Sequence, residues 1–229
     1  DLVSSVAHDL RTPLTSIIGY LGWVRTRTDL DEEMRNHYID IAYQKALRLE
    51  QLTNELFGFV KLEHKEMQLH LGKLDLVQLM EQMLDEMTPS FVKNELQVEF
   101  LHAEHAIFLE ADGELLARLF GNLLNNAVKY GKEGKQVRVS MEKEGEYVVT
   151  RVINYGRIIP KQELDHIFQK FYRTEQSRSR DTGGTGLGLA IVQQIAELHH
   201  GQVRVKSDLQ GTVLDAERPV GTPAGKRER

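Results

Sequence analysis

The sequence predicts an α+β protein in two parts, a helical hairpin followed by an α/β sandwich in which helices cover one mixed sheet. Over roughly the first sixty residues, apolar side chains recur every three or four positions, as they do along one face of a helix. From residue 76 onward, such helical segments alternate with segments in which every second residue is apolar, as in strands. Near residue 185, a glycine-rich stretch stands directly before the last helical segment.

Two long apolar stripes define the hairpin. The first comprises Val3, Val6, Leu10, Leu14, Ile17, Leu21 and Val24. Residues 28–31 supply turn and N-cap residue types. The second stripe comprises Tyr38, Ile41, the aliphatic part of Lys45, Leu49, Leu52, Leu56 and Phe59. Because two helices alone bury too little apolar surface, we expect the hairpin to form a homodimer, as a four-helix bundle.

The second part has a mixed pattern. The sequence predicts helices over 76–91, 113–130 and 187–199, and strands over 96–101, 136–141, 147–153, 202–206 and 212–216. A Ser, Arg and Gly-rich stretch over 174–186 is expected to form a mobile loop. Since the helical period fades between 61 and 72, we expect a hairpin domain at 1–64, a sandwich domain at 65–220 and a disordered tail at 221–229.

Composition excludes several classes of protein. The 229 residues suffice for one large or two modest domains, and the net charge of −5 gives no electrostatic reason to expect nucleic acid as a partner. The absence of cysteine excludes disulfides, thiolate metal sites and cysteine nucleophiles. No apolar run reaches the roughly 18–20 residues of a membrane span, so we expect membrane contact only through segments absent from this chain.

The first candidate site is His8 with Asp9. Both residues lie on the first helical segment, and His8 is off its apolar stripe. A neutral imidazole is a competent nucleophile toward phosphorus, and Asp9 is placed to fix its tautomer. Pro13 removes the hydrogen bond to the carbonyl of Asp9, so the helix should bend there. An isolated His-Asp pair is more often an ordinary surface pair; the full segment, with Arg11, Thr12 and Pro13, favours a site.

The second candidate site is a row of polar residues on the helix predicted over 113–130. Asn122 and Asn126 are four residues apart and share a face, and Lys129 follows one turn later. Amide oxygens suit a Mg²⁺ ion that bridges nucleotide phosphates, and the lysine can reach a phosphate. The alternative is an ordinary solvent-exposed polar face. Asparagine is an unfavourable choice for such a face because its helix propensity is low.

Two further segments complete the pattern. The run Gly184-Thr185-Gly186-Leu187-Gly188 opens a helix, where backbone N–H groups can approach phosphate oxygens. After the strand over 147–153, Asn154 can recognise an adenine edge beside the close approach that Gly156 permits. Phe168 and Phe171 are expected either to wall the base or the lid or to pack in the core, and Arg173 to face either a phosphate or solvent.

Taken together, these segments resemble those of the sensor histidine kinases. Residues 4–20 are similar to the H-box of the HisKA-type dimerisation domain. Within the ATP-binding fold called GHKL or Bergerat, 118–130 resemble the N-box, 152–160 the G1 box, 168–173 the F-box and 181–191 the G2 box. The segments Leu14–Leu21, Arg48–Leu52 and Asp181–Gly184 look, more faintly, like the vancomycin-resistance type of these kinases.

The resemblance implies roles for individual residues. His8 would accept the phosphoryl group, Asp9 would assist as acid or base, and Thr12 would orient the water that dephosphorylates a response regulator. Asn126 would be the main Mg²⁺ ligand. The ATP-binding residues would be Asn122, Asn126, Lys129, Tyr130, Asn154, Gly156, Ile159, Phe168, Phe171, Arg173, Gly184, Thr185, Gly186, Leu187 and Gly188.

The implied function is ATP-dependent autophosphorylation of His8, with transfer to an aspartate of a response regulator receiver domain and possible regulator phosphatase activity. The implied location is the cytoplasmic portion of an inner- or plasma-membrane sensor. The G1 box departs from the family, since Asn154 replaces an aspartate and Ile158 a glycine. A nucleotide-impaired pseudokinase that acts as a dimeric docking scaffold is therefore one alternative. A clamp-closing GHKL ATPase is another, although it leaves His8 and Pro13 unexplained.

Overall fold

The first two helices form the expected hairpin. The computed structural model describes residues 2–63, 68–174 and 185–219, with the side chains of 2–6, 8 and 63 outside this description. Helix α1 spans Leu2–Thr26 and helix α2 spans Glu32–Glu63. Asp31 begins α2, because its carboxylate accepts the backbone N–H of Met34 at 2.7 Å. The helical assignment of α1 continues without interruption through Pro13.

The hairpin leaves large apolar side chains exposed. Ile18 and Leu21 on α1, and Ile39, Tyr43 and Leu47 on α2, are all exposed, Ile18 to 64%. The three α2 residues are spaced four apart and therefore lie on one face. A continuous apolar face of this kind is typical of a surface that a partner covers. No helix in the described part of the chain is both long and apolar enough to be a membrane span.

The rest of the chain folds as a layer of helices on a mixed sheet. In chain order the elements are β1 (Gly72–Asp75), α3 (Leu76–Lys93), β2 (Gln97–His102), β3 (Phe108–Ala111), α4 (Gly113–Tyr130), β4 (Gln136–Glu144), β5 (Tyr147–Asn154), α5 (Lys161–Leu164), α6 (Gly188–Leu198), β6 (Gln202–Asp208) and β7 (Gly211–Pro219). The five-stranded sheet has the order β2-β4-β5-β7-β6, and only the β2–β4 pair is parallel. The predicted fold class is thus confirmed.

Three short elements are absent from the sequence prediction. Strands β1 and β3 pair antiparallel as a separate two-stranded sheet, and α5 is a single turn. Each has four residues, too few for a period of 2 or 3.6 to show. The last strand, in contrast, is longer than predicted, because Glu217, Arg218 and Pro219 continue the pairing with β5 beyond residue 216.

The core lies between the sheet and helices α3, α4 and α6. Helix α4 buries Leu119, Leu123 and Leu124 on one side, and the sheet contributes Val137, Val139 and Met141, which are completely buried. This apolar packing fixes the rotation of α4 about its axis, so its polar side must face away from the core. The polar residues of α4 therefore share one exposed groove.

The C-terminal end of α2 packs into the same core. Phe59 and Leu62 are each only 2% exposed and belong to the main apolar cluster. Three polar contacts reinforce this junction: Arg118 donates to the carbonyl of Gly58 at 3.1 Å, Gln194 donates to that of Leu62 at 3.3 Å, and the ammonium of Lys170 lies 5.0 Å from the Phe59 ring. The hairpin and the sheet-containing part are consequently joined by packing as well as by the chain. The domain limits at 64/65 and 220/221 stay predictions.

Candidate functional site

A large cavity lies among the described residues. It measures about 620 Å³ and lies between α2, α4, the end of β5 and the segment 185–189. Such a volume suits an organic ligand the size of a nucleotide. Most of the residues that the sequence singled out line it: Asn122, Asn126, Lys129, Tyr130, Asn154, Ile159, Arg173, Thr185, Gly186 and Gly188.

Helix α4 supplies the polar wall, where Asn122, Asn126 and Lys129 follow one another along the side opposite the core. The Asn122 amide donates its N–H to the carbonyl of Arg118 at 2.8 Å. Its Oδ1 is thereby left as an acceptor, and it lies 3.0 Å from where a Cβ on Gly188 would be. Hard amide oxygens beside a cavity that also contains cations fit a Mg²⁺ ion bound together with phosphates.

Three cationic side chains line the cavity near α2, namely Arg48, Lys129 and Arg173. Burial, together with the neighbouring charges of Arg173 and Arg48, lowers the pKa of Lys129 to about 8. The carboxylate of Glu55 opposes this effect only in part. At the other end, Arg157 is paired with Glu133 at 2.7 Å. The α2 end is therefore the electropositive end of the cavity, suited to a polyanion.

The end of β5 forms the less charged part of the cavity. Asn154 is 5% exposed and pairs in register with Thr212 of β7, and both line the cavity. The Thr212 hydroxyl lies 2.6 Å from that of Ser207, whose oxygen accepts the N–H of Ile159 at 2.9 Å. These bonds hold the chain just after β5 against β6 and β7. Ile158, in place of the expected glycine, lines the rim and is 44% exposed.

Gly156 does not line the cavity but allows its walls to meet. A Cβ at this position would lie 1.8 Å from the carbonyl oxygen of Tyr130, the last residue of α4, and 3.3 Å from Nδ2 of Asn154. The first distance involves backbone and cannot be relieved by a rotamer change. Glycine at 156 is therefore required for α4 and β5 to bring their polar ends together.

We expect Gly156→Ala to lower the free energy of unfolding by about 1–3 kcal/mol, the scale of a forced backbone shift. Thermal unfolding followed by circular dichroism measures the change. Gly72→Ala is the matched control, since nothing lies within 4 Å of its would-be Cβ. Equal unfolding temperatures for Gly156→Ala and the parent protein would contradict the close approach.

The segment 185–188 closes the opposite side. The hydroxyl of Thr185 donates to Glu55 Oε2 at 2.5 Å and accepts the N–H of Leu187 at 3.1 Å. Gly186 has φ +73°, and a Cβ there would lie 2.7 Å from the backbone of Phe171. Leu187 is completely buried and anchors the start of α6. Gly184 and most of the loop predicted over 174–186 lie outside the described residues.

Phe168 and Phe171 pack against the core, the second of the two alternatives given for them. Neither Phe168 nor Phe171 lines the large cavity, and both pack against the apolar core. This packing favours the core alternative, and a wall for the base or the lid stays a prediction; a spacing of three residues fits a buried turn equally well. Phe171 instead lines a small cleft together with Asp9, Leu10, Leu52, Leu56, Thr185 and Leu187.

That cleft places the first candidate site beside the second. Asp9 and Leu10 directly follow His8 on α1, and they border the same cleft as Thr185. Thr185 also lines the large cavity, so a single residue touches both spaces. Thr12 is exposed one turn after His8. The imidazole of His8 belongs to the side chains outside the description.

Sequence reasoning missed the contribution of α2. Arg48, Gln51 and Glu55 line the cavity, but polar residues at helical spacing on a hairpin look like an ordinary solvated face. Thr212 was also missed, since it lies in a poorly patterned strand. The register of β7 with β5, which places it opposite Asn154, is not visible in a single sequence.

Two family models match this chain. The model described as His Kinase A (phospho-acceptor) domain matches residues 1–65. The model described as Histidine kinase-, DNA gyrase B-, and HSP90-like ATPase, or HATPase_c, matches residues 111–221. The two matches do not overlap, and together they cover most of the chain.

Individual proteins agree with these matches. The chain is 37% identical over 220 residues to Sensor protein VanS of Enterococcus faecium, covering 96% of this chain and 57% of that protein. It is 34% identical over 219 residues to Sensor protein VanSC of Enterococcus gallinarum, covering 96% and 60%. The chain thus spans less than two thirds of these relatives. The solved complex of histidine kinase ThkA with response regulator protein TrrA superposes with a TM-score of 0.79 at 25% identity, covering 97% of this chain and 62% of that chain.

Proposed function

The chain belongs to the two-component sensor histidine kinases, with a HisKA and an HATPase_c domain, and from that premise we propose that it transfers the γ-phosphoryl group of ATP to His8. One observation carries the proposal: Thr185 borders both the large cavity and the cleft beside Asp9 and Leu10. The nucleotide site and the phosphoacceptor segment therefore adjoin within one chain.

The cavity's charge distribution orients ATP. The base would occupy the less charged end, where the amide oxygen of Asn154 accepts the adenine amine. The phosphates would extend toward Lys129 and Arg173 at the electropositive end. Asn126, supported by Asn122, would hold Mg²⁺, which when bound neutralises phosphate charge. Because the Asn154 amide lacks the charge of the usual aspartate, the adenine contact is weaker by about 1 kcal/mol, not lost.

The chemistry on the protein side is a nucleophilic substitution at phosphorus. The imidazole of His8 forms the N–P bond as the bond from the γ-phosphorus to the bridging oxygen breaks, and ADP leaves. Asp9 would hold the proton of the other ring nitrogen, which keeps the attacking lone pair free. Attack within one chain or between the two chains of a dimer satisfies the same chemistry.

Two partners follow from the family. A second copy would cover the exposed apolar face of the hairpin that includes Ile18 and Tyr43. A response regulator would receive the phosphoryl group on an aspartate; ThkA is solved with such a partner. The exposed Thr12 is placed to orient a water for the reverse, phosphatase step. Cytoplasmic placement and a membrane anchor elsewhere in the parent protein stay predictions.

The test is incubation of the chain with γ-³²P-labelled ATP and Mg²⁺, followed by acid and base treatment of the labelled protein. We expect label that is lost in acid and kept in base, as a phosphoramidate behaves, and a single labelled peptide that contains His8. A chain that binds no nucleotide and takes up no label would contradict the kinase proposal. It would favour the pseudokinase scaffold, with Asn154 and Ile158 as the cause.

ATP affinity should depend on the charge of Lys129, whose pKa of about 8 lies well below that of an exposed lysine. Since phosphate binds the protonated ammonium, the competent fraction falls about tenfold between pH 7 and pH 9. We expect the affinity measured by calorimetry to fall with it. Lys129→Arg, which stays charged throughout, should remove most of this dependence. A parent protein with constant affinity over that range would contradict the assignment.

A further inference from the structure

Helix α2 forms a wall of the ATP cavity with three polar side chains. Arg48, Gln51 and Glu55 are three and four residues apart, so they lie along one face of the helix. All three line the cavity, although they belong to the hairpin and not to the sheet-containing part. No role in nucleotide binding follows for these three residues from the N, G1, F and G2 boxes of the ATP-binding fold.

These side chains are connected by hydrogen bonds. Arg48 Nη1 donates to Gln51 Oε1 at 2.8 Å, and Gln51 Nε2 donates to Glu55 Oε1 at 2.9 Å. The other oxygen of Glu55 accepts the hydroxyl of Thr185 at 2.5 Å. Arg48 is thus held at one end of a chain that reaches the segment before α6. Only Nη1 of Arg48 takes part in this series of hydrogen bonds. Because a guanidinium has five N–H donors, further donors of Arg48 can bind a ligand in the cavity.

The cavity wall near Arg48 carries more positive than negative charge. Glu55 is hydrogen-bonded to Gln51 and Thr185, and its carboxylate offsets the neighbouring cations only in part. Arg48 is close enough to Lys129 to disfavour its protonation, and Arg173 acts in the same way. Three cations beside a single carboxylate leave a net positive charge, which a bound anion would neutralise. The terminal phosphate of ATP is the most highly charged group that the cavity would contain.

We propose that Arg48 is a phosphate-binding residue, contributed by the helical hairpin, that contacts the terminal phosphate of ATP. Gln51 and Glu55 are positioning residues that hold its guanidinium. This inference rests on the proposed function, because it presumes that ATP occupies the cavity. It has a structural consequence: the site is complete only while α2 packs against the ATP-binding part.

The experiment is calorimetric titration of the whole chain with Mg²⁺-ATP and with Mg²⁺-ADP. Arg48→Met should weaken ATP binding about 10- to 100-fold, the scale of a lost charged hydrogen bond, and ADP binding by less than about threefold. Arg35→Met is the matched control, since Arg35 is exposed on the same helix and does not line the cavity. It should bind both nucleotides like the parent protein.

Several outcomes would overturn the inference. Equal weakening of ATP and ADP by Arg48→Met would indicate a structural effect, and unchanged affinity would exclude the contact. Arg48→Lys keeps the charge without the planar fork and guards against misfolding of the first variant; it should weaken ATP binding less, and a loss as large as that of Arg48→Met would count against a charge contact. A parent protein that binds neither nucleotide would contradict the proposed function itself, which separates the two failures.

Discussion

Replacing His8 by glutamine is expected to reduce the uptake of γ-phosphoryl label to an undetectable level. Glutamine keeps a polar side chain and suits a helix, so α1 should fold as before. Its amide nitrogen has no lone pair available to attack phosphorus, whereas the imidazole does. The expected loss is therefore in chemistry alone, with ATP affinity unchanged.

His37→Gln is the matched control for this change. His37 is a helical and exposed histidine of the same hairpin, located on α2. The control should take up label like the parent protein. Label that persists in His8→Gln, with the acid lability of a phosphoramidate, would mean that another histidine accepts the phosphoryl group.

Replacing Asn126 by alanine is expected to lower the rate of label uptake by at least about 10- to 100-fold, the loss typical even of a group that only supports a metal ligand. Asn126 lines the cavity between Asn122 and Lys129, and its amide oxygen is the proposed Mg²⁺ ligand. The variant should also lose most of the Mg²⁺ dependence of ATP binding. Titrating ATP with and without Mg²⁺ measures this second effect separately from the rate.

Asn125→Ala provides the comparison at the neighbouring position. Asn125 is exposed at the cavity rim, on the same helix. Alanine has the higher helix propensity at both sites, so neither variant should unfold the protein. Similar rates for the two variants would contradict a specific role for Asn126.

The long periodic elements were predictable because the core imposes their periodicity. In α4, Leu119, Leu123 and Leu124 face the sheet, so the pattern that buries them also sets the polar face with Asn122 and Asn126. The α4 face and the end of β5 could therefore be recognised together from residue types and spacing. Strands β1 and β3 could not, since four residues carry no measurable period.

What the sequence could not predict depends on contacts between distant segments. Thr185 meets Glu55 across 130 positions, and Arg118 meets Gly58 across 60. Polar residues on α2 are indistinguishable from a solvated surface until the second part of the chain packs against them. The choice between core and cavity for Phe168 and Phe171 was undecided for the same reason.

The burial of Phe59 and Leu62 in the main core has a mechanical consequence. These residues lie at the end of a helix of 32 residues, roughly 48 Å long, whose other end is at the hairpin turn. Close-packed side chains surround the C-terminal end of α2. A twist applied to α2 near the hairpin turn therefore cannot be absorbed by sliding of this end against the core. Such a twist must either rotate the ATP-binding part together with α2 or remove Phe59 and Leu62 from their apolar surroundings. Rotation of α2 near the turn is therefore coupled to the position of the ATP-binding part through the packing of these two side chains.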